Sequence, residues 1–240
     1  MSTTCTIEDE RCDCGKPASK ELLELRRLFK FIGVRCDECE AKRESDEAEQ
    51  ARRSNMAMEM AARESRLQVI PPEMQRSSIA HPDFNPGLWV RVEHWQPSCG
   101  KWLGIVGGAG ECKTRCISII ARRLILDGHR LTWTTAVDFQ DRVDDSLRGD
   151  RGESKEAHRY FAQCKSAPIL VFDDFGKNTW NPTLERHLFS VIDHRKTHDL
   201  PILWTANTPL LEILGMNVLS KDRGAPIIGR MLENSIIEKA

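Results

Sequence analysis

The sequence has no apolar run close to the roughly 18 residues that a transmembrane helix needs. Its first 20 residues include acidic side chains and lack the apolar centre of a secretory signal. It also has no excess of one charge, since 35 Lys and Arg stand against 36 Asp and Glu. A basic field over the whole molecule is therefore excluded, and any contact with nucleic acid must be local or built by assembly. We expect a cytoplasmic protein with no membrane partner.

Internal repeats and low-complexity tracts are also absent, and 240 residues suffice for one ordinary domain plus a small appendage. Residues 1–40 hold five of the nine cysteines, and residues 41–68 are dense in Glu, Arg, Lys, Ala and Met. Residues 69–240 alternate short apolar runs with helical patterns. We interpret the three stretches as a zinc-binding module, a charged linker helix and an α/β domain.

Strands that alternate with helices predict a parallel sheet covered on both faces, with ligands at the carboxyl ends of the strands. Four runs are predicted to be strands: 102–106, 130–136, 168–172 and 201–205. The charged segment 137–166 is predicted to be helical with a loop around Gly149 and Gly152. Helical fragments are expected to fill 209–240.

The strongest motif is the Gly-rich segment 104–114, which follows an apolar strand and opens a helix. There, backbone N–H groups of the loop and of the helix N-terminus converge on phosphate oxygens. The motif G-x-x-x-x-G-K-[ST] places Lys113 on the β- and γ-phosphates of ATP and the Thr114 hydroxyl on Mg²⁺. The predicted nucleotide-binding residues are Gly107, Gly108, Ala109, Gly110, Glu111, Cys112, Lys113, Thr114 and Arg115.

Cys112 departs from this motif, which has Gly immediately before its Lys. A side chain is tolerated at that position if φ is negative, and the backbone N–H is retained. We therefore expect nucleotide binding to survive, while the effect of Cys112 on hydrolysis stays open. The alternative is a glycine-rich turn without a ligand.

Two further strand ends carry polar side chains. The strand 169–174 ends in two carboxylates. Asp173 is predicted to hold Mg²⁺, largely through water, and Asp174 to orient and polarise the attacking water. Asn207 follows the next strand, where its amide can bond the γ-phosphate or the water and sense the nucleotide. The alternatives are an Asp pair that caps a helix and an Asn that begins a turn.

With these three elements in this order, the sequence resembles the AAA+ ATPases, and among them the DnaC/DnaI-type helicase loaders and the IstB transposition ATPases. The resemblance covers about residues 69–240 and rests on the segments 107–115, 172–177 and 203–207. It implies an AAA+ P-loop core without a C-terminal lid domain. It also implies copies of the chain assembled side by side, with ATP at the boundary between subunits.

In such assemblies an arginine of the neighbouring subunit completes the site. Arg223 and Arg230 are both candidates; we predict that Arg223 acts in trans and that Arg230 is a sensor on the last helix, although either could be a surface charge. The resemblance further implies contact with single-stranded DNA, for which 137–166 is the candidate segment. An exposed helix of mixed charge is the alternative interpretation of that segment.

The N-terminal cysteines form two close pairs, Cys12 with Cys14 and Cys36 with Cys39. Four thiolates on two tight turns can close a tetrahedral structural zinc site, and Gly15 would help the first turn to curl. Cys5 could replace one ligand, and free or redox-active thiols are the alternative. Loaders with a small zinc-binding module grip the replicative helicase with it, so the resemblance implies a helicase partner.

Three functions are compatible with these motifs. The first is an ATP-hydrolysing helicase loader of DNA replication. The second is an IstB-like ATPase that serves a transposase. The third is an adaptor that binds ATP with little turnover, which Cys112 keeps open.

Overall fold

The structure is a computed structural model that describes residues 12, 14–17, 19–20, 24, 36–148, 151–216 and 219–240. The chain divides into two compact units, 1–62 and 63–240, which are described separately. Among the described residues, every helix is too short or too polar to cross a membrane. The domain boundaries predicted from the sequence stay predictions.

The described helices and strands alternate along most of the chain. In chain order they are α1 (Asp37–Leu67), α2 (Pro86–Val92), β1 (Trp102–Val106), α3 (Lys113–Leu126), β2 (Leu131–Thr135), α4 (Ala136–Arg148), α5 (Arg151–Ser166), β3 (Ile169–Phe175), α6 (Pro182–Thr197), β4 (Ile202–Ala206), α7 (Leu210–Gly215), α8 (Gly224–Asn234) and β5 (Ser235–Lys239).

Helix α1 is charged along its whole length, and none of its residues is buried. Arg43 pairs with Glu47 at 2.7 Å and also with Glu40, and Glu49 pairs with Arg53. Such exposed pairs three or four residues apart contribute little to stability. The helix begins four residues before the predicted linker and ends one residue earlier than predicted.

The five strands form one parallel sheet in the order β2-β3-β4-β1-β5, which confirms the predicted α/β architecture. Side chains alternate between its faces, so β1 sends Trp102 and Val106 into one apolar cluster and Leu103 and Ile105 into the other. Every residue of β1 and β4 is buried, as expected for inner strands covered by helices on both faces.

Three expectations about individual elements are wrong. Residues 235–239 form strand β5 beside β1, where a helix was expected; five residues with two adjacent isoleucines suit an edge strand better than a helix. Gly152 lies inside α5 and not in a loop. Strand β3 runs to Phe175, three residues beyond the predicted run 168–172 and one beyond the carboxylates, with a register shift between Phe172 and Phe175 that contains both aspartates.

Candidate nucleotide-binding site

The loop that joins β1 to α3 lies at the carboxyl ends of the central strands. It is tied to the neighbouring strand by a hydrogen bond from Gly107 N–H to the Ala206 carbonyl oxygen at 3.1 Å. Beside the loop is a cavity of about 380 Å³. Its lining residues are Met74, Asp83, Ala109, Gly110, Glu111, Cys112, Lys113, Thr114, Arg115, Asp174, Lys177 and Asn207. The fold thus brings together side chains from three predicted motifs.

Lys113 is 5% exposed, and its ammonium donates to the carbonyl oxygen of Gly108 at 2.6 Å. Burial lowers the pKa of Lys113, while the nearby carboxylates of Asp174 and Glu111 act in the opposite direction. The ammonium is therefore held inside the loop, with two acidic groups close to it. An anion in the cavity would favour the charged form of Lys113, which burial disfavours.

Asp173 lies below the loop, 6% exposed, and accepts hydrogen bonds from two threonine hydroxyls. Thr114 donates to its Oδ1 from 2.9 Å and Thr205 donates to the same oxygen from 2.5 Å. Burial raises the pKa of the Asp173 carboxyl, and these two hydrogen bonds oppose that rise. The Asp173 carboxylate lies beside the Thr114 hydroxyl, and Thr114 lines the cavity. Together they are an oxygen donor set that fits Mg²⁺, which takes one or two carboxylates and keeps several waters.

Asp174 faces the cavity because its backbone leaves the extended conformation. Its φ is 58°, and its N–H donates to the Thr205 hydroxyl oxygen at 2.9 Å. The Lys177 ammonium donates to Asp174 Oδ2 at 2.6 Å. Left-handed backbone is uncommon outside glycine, although Asp tolerates it better than most residues. The two adjacent aspartates consequently have different surroundings, one buried under the loop and one in the cavity.

Cys112 has a φ of 61°, so the expectation of a negative φ is wrong. Gly110, two residues earlier, is also left-handed with a φ of 84°. The Cys112 thiol donates to the carbonyl oxygen of Asp83 at 2.6 Å. A side chain in this conformation costs about 1–2 kcal/mol. Cys112 therefore keeps the left-handed backbone conformation, at a cost in strain that glycine would not have.

Glu111 turns its carboxylate back onto its own loop, a contact that sequence reasoning missed. Its Oε2 accepts from Gly108 N–H at 2.5 Å. A Cβ on Gly107 would lie only 2.1 Å from the same oxygen, so the carboxylate fills the space beside that glycine. The available signal was an acidic side chain inside a phosphate-binding motif. The Glu111 carboxylate therefore occupies the Gly108 N–H group, which is suited to bind phosphate.

Neither Arg223 nor Arg230 lines this cavity, whereas Arg115 does. Arg230 pairs with Asp193 at 2.7 Å, and its guanidinium lies 4.5 Å from the centre of the Phe189 ring. Arg223 is exposed at the beginning of α8. The contacts of Arg230 favour a structural role, while Arg223 is available at the surface. Both assigned roles stay predictions.

The segment proposed for DNA contact includes α4 and α5, and one of its faces is acidic. It lines a separate cavity of about 540 Å³. The lining residues are Trp133, Asp138, Asp141, Arg142, Asp144, Asp145 and Tyr160. Four carboxylates against one arginine would repel phosphates, so this face does not support the interpretation as a DNA-binding segment.

The four predicted zinc ligands come together in the first unit. The sulfur atoms of Cys12, Cys14, Cys36 and Cys39 all lie within 4.8 Å of one another. Cys14 Sγ is 3.5 Å from Cys36 Sγ. Zinc–sulfur bonds of about 2.3 Å place the sulfurs of a tetrahedron about 3.8 Å apart, so the cluster fits a zinc ion. Cys5 lies outside the described residues.

The turn around the first cysteine pair is tight, as predicted. Gly15 has a φ of 85°, and its N–H donates to the Cys12 carbonyl oxygen at 2.8 Å. The backbone N–H of Cys14 is the largest cause that lowers the pKa of Cys12, to about 6. The neighbouring thiols, Cys14 first, raise the pKa of Cys39 to about 12. Among the remaining cysteines, Cys116 and Cys164 are buried, whereas Cys99 is exposed.

Comparison with known proteins identifies the fold. No family model and no curated protein sequence matches the chain. Solved structures do match: the DnaI crystal structure is 19% identical with a TM-score of 0.57, covering 70% of this chain and 93% of that one. The DnaC helicase loader is 16% identical with a TM-score of 0.52, covering 70% of this chain and 98% of that one.

The replication initiator DnaA, bound to AMPPCP and single-stranded DNA, is 15% identical with a TM-score of 0.51. That match covers 64% of this chain and 44% of the initiator. The second unit therefore has the AAA+ P-loop fold. This fold, which the chain shares with the DnaI, DnaC and DnaA structures, is the one that the resemblance at the sequence level implied.

Proposed function

We propose that this chain is an ATP-hydrolysing protein of DNA replication that acts as a helicase loader. The observation that carries the proposal is the convergence of the Lys113 loop, the Asp173–Asp174 pair and Asn207 at the carboxyl ends of adjacent strands. Loop amides, a buried ammonium and paired carboxylates are the groups that phosphoryl transfer requires. The fold that the chain shares with DnaI and DnaC supports the replication role.

Each residue has a definite part in this proposal. The loop amides and Lys113 bind the phosphates of ATP, and Thr114 and Asp173 hold Mg²⁺. Asp174 orients the attacking water, and Asn207 bonds the terminal phosphate or that water. Mg²⁺, when bound, neutralises negative charge on the phosphate oxygens. Arg223 of a neighbouring copy of the chain would add a positive charge at the subunit boundary.

The partners are proposed from the fold and from the cysteine cluster. The zinc-binding module would contact a replicative helicase, and the AAA+ units would assemble side by side with ATP between them. One matching structure is a helicase loader, and another holds single-stranded DNA. Because the cavity between α4 and β2 is acidic, we place single-stranded DNA on the assembled surface and not in that cavity.

The test is Mg²⁺-dependent ATP hydrolysis with and without single-stranded DNA, measured on the wild-type chain and on Lys113→Ala. Lys196→Ala is the matched control, since Lys196 is an exposed lysine of α6 that does not line the cavity and lies outside the segment 137–166. We expect turnover that DNA stimulates, that Lys113→Ala abolishes and that Lys196→Ala leaves intact. Turnover that persists in Lys113→Ala would show that this loop is not the ATPase site.

A second candidate function, an adaptor that binds ATP with little turnover, is favoured by two features of the loop. Cys112 replaces the glycine of the motif, and the Glu111 carboxylate competes with phosphate for Gly108 N–H. ATP binding without turnover, even with DNA and helicase present, would support the adaptor. Asp174→Asn distinguishes the two functions, because it should trap ATP on a hydrolysing loader and change little in an adaptor.

A further inference from the structure

Lys177 lies at the wall of the loop cavity, in a turn whose backbone is fixed. Its N–H donates to the Asp174 carbonyl oxygen at 3.1 Å, which closes a four-residue turn. Gly176 within the turn has a φ of 90°, and a Cβ there would lie 2.7 Å from Ile213 Cδ1 of α7. The turn is therefore packed against a helix, and its geometry places the two charged side chains of Asp174 and Lys177 together.

Among the described residues, the Lys177 ammonium has one polar partner, Asp174. Its ammonium is 2.6 Å from Asp174 Oδ2, with the lysine side chain 47% exposed and the aspartate side chain 30% exposed. Partly exposed ion pairs of this kind contribute little to stability. A terminal phosphate carries more negative charge than one carboxylate and has three oxygens to accept hydrogen bonds, so it can compete for this ammonium.

The ion pair between Lys177 and Asp174 also affects the Asp174 carboxylate. While Lys177 donates to Oδ2, that oxygen of Asp174 is engaged and the negative charge of the group is balanced. A carboxylate polarises water more strongly when a neighbouring cation does not balance its negative charge. Lys113 and Asn207 line the same cavity, so an anion that reaches them is also near Lys177.

We propose that Lys177 binds the terminal phosphate of a nucleoside triphosphate. When the triphosphate binds, the Lys177 ammonium leaves Asp174 and pairs with that phosphate. This inference rests on the proposed function and adds two properties to it. The site distinguishes triphosphate from diphosphate through Lys177, and the negative charge of Asp174 is released to polarise water only when a triphosphate is bound. A diphosphate leaves the ion pair in place, since it has no third phosphate to compete for the ammonium.

The experiment measures the affinities of ADP and of a non-hydrolysable ATP analogue, with Mg²⁺, for the wild type, Lys177→Gln and Lys177→Arg. We expect Lys177→Gln to bind the analogue about tenfold more weakly, ~1.4 kcal/mol, with ADP affinity unchanged. Lys177→Arg keeps a positive charge of similar reach and should restore the preference for the ATP analogue over ADP. In steady-state ATP hydrolysis, Lys177→Gln should raise KM by a similar factor, with a smaller effect on kcat. Lys155→Gln is the control for loss of a lysine charge elsewhere.

The outcomes separate this inference from the proposed function. A wild type that binds neither nucleotide would overturn both. A wild type that binds both nucleotides, with a ratio of affinities unchanged in Lys177→Gln, would overturn the inference alone. A fall in kcat at constant affinity ratio would mean that Lys177 holds Asp174 permanently, which also contradicts the exchange. An equal loss of ADP and analogue binding would indicate a structural role and count against it too.

Discussion

The left-handed backbone of Cys112 makes a quantitative prediction about two substitutions. Cys112→Gly and Cys112→Ala both remove the thiol contact with the Asp83 carbonyl oxygen, so that loss cancels when the two variants are compared. Alanine keeps the strain of a Cβ at a φ of 61°, about 1–2 kcal/mol. Glycine loses about 0.5–1 kcal/mol through its larger freedom in the unfolded chain.

The glycine variant should therefore have the higher free energy of unfolding, by roughly 1 kcal/mol. For a unit of this size the midpoint of thermal unfolding should differ by about 2–4 °C, which calorimetry resolves. Urea titration measures the difference in the free energy of unfolding. Asp199 is the matched control, since it is also left-handed with a φ of 51° but lies at the end of α6, away from the cavity. The same Gly–Ala difference is expected there.

The two positions should differ in their effect on nucleotide. Cys112→Gly restores the motif and should bind ATP at least as tightly as the wild type, whereas both Asp199 variants should leave ATP affinity unchanged. If Cys112→Ala equals or exceeds Cys112→Gly in stability while the difference appears at Asp199, then Cys112 is not left-handed. Backbone strain in the loop would then be refuted.

Three other predictions concern separate features. Glu111→Gln should tighten ATP binding by about threefold to tenfold, because a charged competitor for Gly108 N–H is lost; unchanged affinity in a nucleotide titration would contradict this. Gly104→Ala should lower the free energy of unfolding by about 1–3 kcal/mol or prevent folding, because its Cβ would lie 2.2 Å from the Trp204 ring. Gly229→Ala, in the open part of α8, should raise the free energy of unfolding by up to about 1 kcal/mol. Chemical denaturation measures both changes. Metal analysis should find one zinc ion per chain, and replacing the four cluster cysteines by Ser should remove it without changing ATP affinity.

The sheet and its nucleotide loop could be predicted because their signals are local. Inner strands of a parallel sheet are continuous apolar runs, and β1 and β4 match the predicted runs within one residue at each end. The loop, Asp173 and Asp174 follow such runs directly. Because parallel strands end at the same edge of a sheet, strand order along the sequence was enough to bring these groups together.

What escaped prediction depends on geometry that sequence patterns do not carry. Strand β5 is short and half-exposed, so its pattern resembles the end of the preceding helix, and only pairing with β1 decides its conformation. The sign of φ at Cys112 follows from the path of the loop and not from residue type. The partners of Glu111, Lys177 and Arg230 depend on where side chains meet in space.

The order of the sheet also has a consequence for how the second unit folds. The strand that leads into the nucleotide loop has both of its neighbours far along the chain: Leu103 pairs with Leu203, and with Ile236 on its other side. Closing loops of that length costs entropy before the contacts are gained, and such distant pairings slow folding. We therefore expect the fully apolar strand β1 to pair late, while β2 and β3, which lie closer in sequence, pair earlier. During that interval the segment before the loop is the part of the unit most exposed to aggregation.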